Sequence, residues 1–130
     1  MFKHHFSQRS DMQLDKTPNL PGPEFTGPQI YRAREFTGKS AWDAITIANM
    51  DGITTRLHWT DQPYKWHVND GAEIFVVLDG SVEMFFEEDG KKASVMMQVG
   101  DVFFASLGTR HVAHPLGEAR ILVIEKEGSV

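Results

Sequence analysis

From residue 29 onward, apolar and polar side chains alternate in short runs separated by turn-forming pairs. Period-two alternation marks strands whose two faces meet different surroundings. It predicts strands over 29–36, 44–50, 53–59, 72–78, 82–88, 92–99, 102–107, 111–116 and 119–126. The separators are Asp51-Gly52, Asp79-Gly80, Asp89-Gly90, Gly100-Asp101 and Gly117-Glu118. Asp-Gly suits a two-residue hairpin turn, whose central residues both need positive φ. Two such turns predict an antiparallel meander between residues 72 and 99. A short helix over 40–44 is the only helical expectation.

Many short strands at this spacing predict an all-β domain, a sandwich or small barrel of antiparallel strands. EIFVVL and RILVIE are apolar on both faces. One face fills the interior, and the other needs a second sheet, the N-terminal segment or a partner chain as cover, which favours a homodimer. Residues 1–28 are polar and carry prolines at 18, 21, 23 and 28, so they read as an extended arm before a single domain over 29–130.

Composition narrows the function classes. The chain of 130 residues is 41% hydrophobic and 24% charged, enough for one packed domain. It contains no cysteine, which excludes disulfides, thiolate nucleophiles and cysteine-ligated metals. A net charge of −5 without a basic cluster argues against nucleic acid as a partner. No run reaches the length of a membrane span, and the N-terminal residues lack a signal-peptide core, so the expectation is a cytoplasmic protein that does not engage membranes.

The candidate chemistry sits in WHVNDGAEIFVVLDG, residues 66–80. His67, Asn69 and Glu73 fall at positions of one parity, the parity of Phe75 and Val77, so strand phase aims an imidazole, an amide and a carboxylate at the interior. A bare carboxylate there costs several kcal/mol unless a cation compensates it.

These residues resemble the first motif of the cupin family: a glycine, two histidines two apart, a glutamate and a closing glycine. His67 stands at the first histidine, Asn69 at the second, Glu73 at the glutamate and Gly80 at the closing glycine; Asp61 replaces the leading glycine. Residues 100–115 resemble the second motif, with Gly100, Gly108 and His111 in place, Ser106 for a proline and Pro115 for an asparagine. The resemblance covers about residues 44–126. It implies a double-stranded β-helix, or jelly-roll barrel, of two antiparallel sheets. It also implies a divalent metal ion held by His67, Asn69, Glu73 and His111, where most members use three histidines and a glutamate.

Even without Asn69, two histidines and a carboxylate form a set that suits Fe and can hold Mn, Ni or Zn. The resemblance permits dioxygenase, isomerase, epimerase or decarboxylase chemistry on a small oxygen-rich molecule, and equally a binding module or a metal-free barrel. Around this set, His58 is a further ligand candidate or a strand histidine. Trp59 and Trp66 are pocket walls or packing residues. His114 falls on the opposite strand face from His111. Asp43 and Arg56 are polar candidates for substrate contact.

Overall fold

The computed structural model of the chain describes residues 27–129. The chain divides into two units, Met1–Tyr31 and Arg32–Val130. Most of the expected arm, residues 1–26, lies outside the described residues. In the short described part of the first unit, the Tyr31 hydroxyl donates to Gln29 Oε1 at 2.9 Å.

The second unit contains nine strands: β1 (Asp43–Met50), β2 (Ile53–Thr60), β3 (His67–Val68), β4 (Glu73–Asp79), β5 (Val82–Glu88), β6 (Lys91–Met97), β7 (Val102–Ala105), β8 (Arg110–Pro115) and β9 (Ala119–Lys126). They form a five-stranded sheet ordered β1-β2-β9-β4-β7 and a four-stranded sheet ordered β3-β8-β5-β6. All the pairings are antiparallel. This is the expected all-β jelly-roll barrel. No helix of the described residues is long and apolar enough to cross a membrane.

Strand phase fills the space between the sheets. Phe75 and Val77 of β4, Val82 and Met84 of β5, Met97 of β6, Ala113 of β8, and Ala119, Ile121 and Val123 of β9 form one buried cluster. Each large side chain so buried contributes about 1.5–3 kcal/mol. The same inward phase turns polar at one end of the strands: Glu73 precedes Phe75, Glu125 follows Val123, and His111 precedes Ala113. The apolar core stops there and a cavity begins.

Three expectations are corrected. Residues 29–36 form no strand; Ala33–Glu35 is a single 3-10 turn. Its following carbonyl, that of Phe36, accepts from Arg120 Nε at 3.0 Å, so this backbone is satisfied by a side chain instead of a ladder. Residues 40–44 are not helical. Trp42 has φ 63, which a right-handed helix does not admit. The Asp43 carboxylate instead accepts from the Lys39 and Ala44 amides at 3.0 and 2.9 Å and starts β1. Those two amides hold the Asp43 carboxyl below its ordinary value. Asp43 therefore builds a turn.

The meander is also interrupted. β5 and β6 pair through Asp89-Gly90, with φ of 54 and 76, but β4 and β5 belong to different sheets. At Asp79-Gly80 only the glycine has positive φ, so a corner replaces the hairpin. A Cβ on Gly80 would run into the Glu118 carbonyl, which fixes glycine there.

Arg120 holds the outer layer. It is buried, and besides Phe36 it donates to Asp79 Oδ2 at 2.9 Å and Thr37 Oγ1 at 3.1 Å. One guanidinium thus joins β9, the end of β4 and the segment over residues 36–37. Arg120→Ala should cost about 2–3 kcal/mol, because charge-assisted bonds are lost and acceptors are left unpaired. Urea unfolding measures this, and an unchanged midpoint would remove the clamp from the account.

Candidate metal centre

β3 exists because its backbone pairs with β8, and that register sets His67 directly opposite His111. Directly opposed residues share a face, and here the ring centroids lie 4.3 Å apart. The ladder continues past β3: the Asn69 amide donates to the Thr109 carbonyl at 3.0 Å, and the Gly108 amide donates to the Asn69 carbonyl at 2.9 Å. Glu73 arrives from β4 in the other sheet, so the three side chains converge from two walls. Each offers one ligand atom, all within 4.8 Å of one another. Glu73 and His111 are buried.

The donor set fits a divalent ion. His67 Nδ1 donates to the Lys65 carbonyl at 3.1 Å and His111 Nδ1 to the Thr109 carbonyl at 3.4 Å, because a carbonyl can only accept. Both Nε2 atoms are left with lone pairs free for a ligand. His111 Nε2 lies 3.3 Å from Glu73 Oε1. Two acceptors so placed repel unless a proton or a metal ion joins them. The separation also matches a ligand–ligand edge: bonds near 2.1 Å give about 3.0 Å at right angles and about 3.4 Å in a tetrahedron.

Asn69 is buried against the same carboxylate. Its Nδ2 donates to Glu73 Oε1 at 3.3 Å and to the Gly71 carbonyl at 3.1 Å, with the Ala105 carbonyl at 3.5 Å. Every neighbour of that atom is an acceptor, which fixes the amide orientation. In this arrangement Asn69 turns its NH2 toward Glu73 and orients the carboxylate, while its Oδ1 is buried without a hydrogen-bond partner among the described residues.

The centre opens into a cavity of about 240 Å³ whose walls include Trp42, Arg56, His58, Tyr64, Phe75 and Glu125. His58 lines it from β2 but stands outside the three-ligand cluster. Burial lowers its affinity for a proton, and the Arg56 charge lowers it further. Trp59, Trp66 and His114 do not line the cavity. Trp59 points to the other face of β2, where Nε1 donates to Glu118 Oε1 at 3.3 Å. Trp66 carries Lys92 and Arg110 over its ring at 5.3 and 5.4 Å. His114 packs on Phe85, centroids 4.7 Å apart, on the face of β8 away from His111.

Trp42, Tyr64 and Glu125 are wall residues that sequence reasoning missed, and Glu125 is the carboxylic acid among them. Its signal was present, since in ARILVIEK it shares the parity of Ala119, Ile121 and Val123. It pairs across the ladder with Glu73. Burial first, then the Glu73 charge, push its carboxyl up to about 7.

Two predictions follow from this geometry. Asn69→Ala should weaken metal affinity about tenfold, since supporting hydrogen bonds typically matter by 10–100-fold; competition titration against a chelating dye reads it, and equal affinity would deny the orienting role. In chelator-treated protein, a carboxyl raised in the fold contributes stability fully present below its unfolded value near 4.5 and lost as pH rises through about 7. The melting temperature should therefore fall across that window more in wild type than in Glu125→Gln. Parallel melting curves would contradict this.

No family model matches the chain, and no curated protein matches it in sequence. Solved structures do. A cupin-2 domain-containing protein from Shewanella frigidimarina is 23% identical, over 69% of this chain and 85% of that one, with a TM-score of 0.62. A cupin superfamily protein from Desulfitobacterium hafniense is 15% identical, over 85% and 97%, with a TM-score of 0.63. An oxalate oxidase is 20% identical, over 61% and 45%, with a TM-score of 0.54. At such low identity the likeness is one of fold: the chain has the cupin fold.

Proposed function

We propose that the protein is a small metalloenzyme. It holds one divalent ion (Fe, Mn, Ni or Zn) through His67, Glu73 and His111 and acts on a small oxygen-rich metabolite. The observation that carries this reading is the convergence of those three ligand atoms within 4.8 Å in the wall of a cavity. Its volume of about 240 Å³ is below the usual range of about 300–1,000 Å³ for drug-sized ligands, which favours a small substrate. The fold is shared with an oxalate oxidase, so it can host enzymic chemistry, although fold alone selects no reaction.

When bound, a divalent ion at this place supplies a Lewis acid that polarises a coordinated oxygen. The chain does the rest. The two backbone-anchored imidazoles present Nε2, and the Glu73 carboxylate offsets part of the cationic charge. Asn69 keeps that carboxylate turned inward. Phe75, Ala113 and Val123 wall the cavity with carbon and limit water around the reacting groups.

The reading extends to a homodimer. On edge strand β7, Val102 and Phe104 are 60% and 63% exposed, an apolar strip that a second copy would cover. Light scattering that returns the monomer mass would withdraw that part.

Protein purified without chelators should carry close to one equivalent of transition metal by elemental analysis, and the His67→Ala, His111→Ala double variant almost none. Metal content that is low and equal in both would end the metal reading. Full metal with no turnover of hydroxy acids, oxo acids or sugars under oxygen would make the protein a binding module.

A further inference from the structure

Arg56 is a permanently cationic residue of the cavity lining that the metal reading does not use. It occupies β2 in register with Val123 of β9, and its strand neighbours of the same parity, Thr54 and His58, pair with Glu125 and Ile121. Val123 and Ile121 belong to the core cluster, so strand phase aims Arg56 inward, where it lines the cavity. Partly burying a guanidinium is costly unless its donors are satisfied. Arg34, Arg110 and Arg120 each have a carboxylate partner. Among the described residues, Arg56 has no hydrogen-bond or ion-pair partner.

The charge of the loaded cavity points the same way. A divalent ion and Arg56 supply three positive charges, Glu73 removes one, and Glu125 removes one or none. Whichever state Glu125 holds, the remainder is positive, and a positive, partly water-excluded cavity selects an anion. Distance then limits the ligand. β2 and β4, which carry Arg56 and Glu73, are separated in the sheet only by β9. Two strand spacings are roughly 10 Å, part of which the arginine side chain spans.

We propose that Arg56 is the anion-binding residue of this cavity. The ligand class is a short 2-hydroxy or 2-oxo carboxylic acid that carries a second acid group. The hydroxy- or oxo-carboxylate end lies at His67, Glu73 and His111, and the second carboxylate lies on the Arg56 guanidinium, whose planar fork donates two parallel hydrogen bonds to it. The inference rests on the metal reading above and adds a substrate class to it.

Two probes with the same chelating end separate the parts: malate, which has the second carboxylate, and lactate, which lacks it. Isothermal titration calorimetry on metal-loaded protein should show malate binding more tightly than lactate. Arg56→Gln should weaken malate binding by about tenfold to a hundredfold and change lactate by less than about twofold. Arg56→Lys, which keeps the charge but not the fork, should fall between. Melting curves and elemental analysis of both variants confirm that fold and metal content are retained. Equal malate affinity in wild type and Arg56→Gln, or no malate binding by fully loaded wild type, overturns the anion site and leaves the metal site standing. Wild-type protein without metal overturns both.

Discussion

A carboxylate and two imidazoles enclosed between two sheets constrain everything else in this molecule. Glu73 is buried, and its oxygen lies 3.3 Å from the lone-pair nitrogen of His111. That arrangement is unfavourable on its own and becomes favourable when a proton or a metal ion is shared. The fold meets this condition by geometry. The histidines come from adjacent strands of one sheet and the glutamate from the other, so the ligand atoms meet where the apolar core ends. Had the polar group lain at mid-barrel, among Val77, Met84 and Ile121, it would have displaced the packing that holds the sheets together.

Several features away from the ligands serve that geometry. The backbone ladder through Asn69, Gly108 and Thr109 fixes where His67 and His111 face each other. The Thr109 carbonyl also accepts from the His111 ring, so one residue sets both the register and the tautomer. The corner at Gly80 lets β4 end in one sheet and β5 begin in the other, which keeps Glu73 and the histidines on facing walls. Arg120 secures the far end of the same strand through Asp79. Position at the site is thus inherited from rigid elements, the condition for a preorganised centre.

The second-histidine position illustrates how one substitution redistributes roles. Asn69 lacks an imidazole, but its amide reaches the oxygen of Glu73 that faces His111. A neutral donor to that oxygen steadies the carboxylate without adding charge. The sheet that carries Glu73 also supplies what the three-residue cluster lacks, a fixed positive group in Arg56 and a second carboxylate in Glu125. Two chemically distinct ends within one small cavity define an orientation for whatever enters it.

The sequence by itself determined the β character, most strand positions and the three residues, His67, Glu73 and His111, that the fold brings together. Alternation and Asp-Gly turns are local signals, and the spacing from His67 to Glu73, with His111 after Gly108, survives any rearrangement of loops. Parity joins Glu125 to Ala119, Ile121 and Val123, whereas Arg56 shares the polar parity of Thr54 and His58, and only its pairing with Val123 shows that this face is inward. Pairing partners were decided only in three dimensions. Nothing local distinguishes a hairpin at Asp79-Gly80 from a corner; that depends on Glu118 crowding the glycine and on Arg120 holding Asp79. Residues 29–36 alternate like a strand, yet among the described residues none pairs with them in a ladder, and a distant arginine takes the Phe36 carbonyl instead. The faces of Trp59, Trp66 and His114, and the hydrogen-bonding direction of Asn69, likewise follow from contacts between residues far apart in the chain. Those contacts exist only once the two sheets have closed.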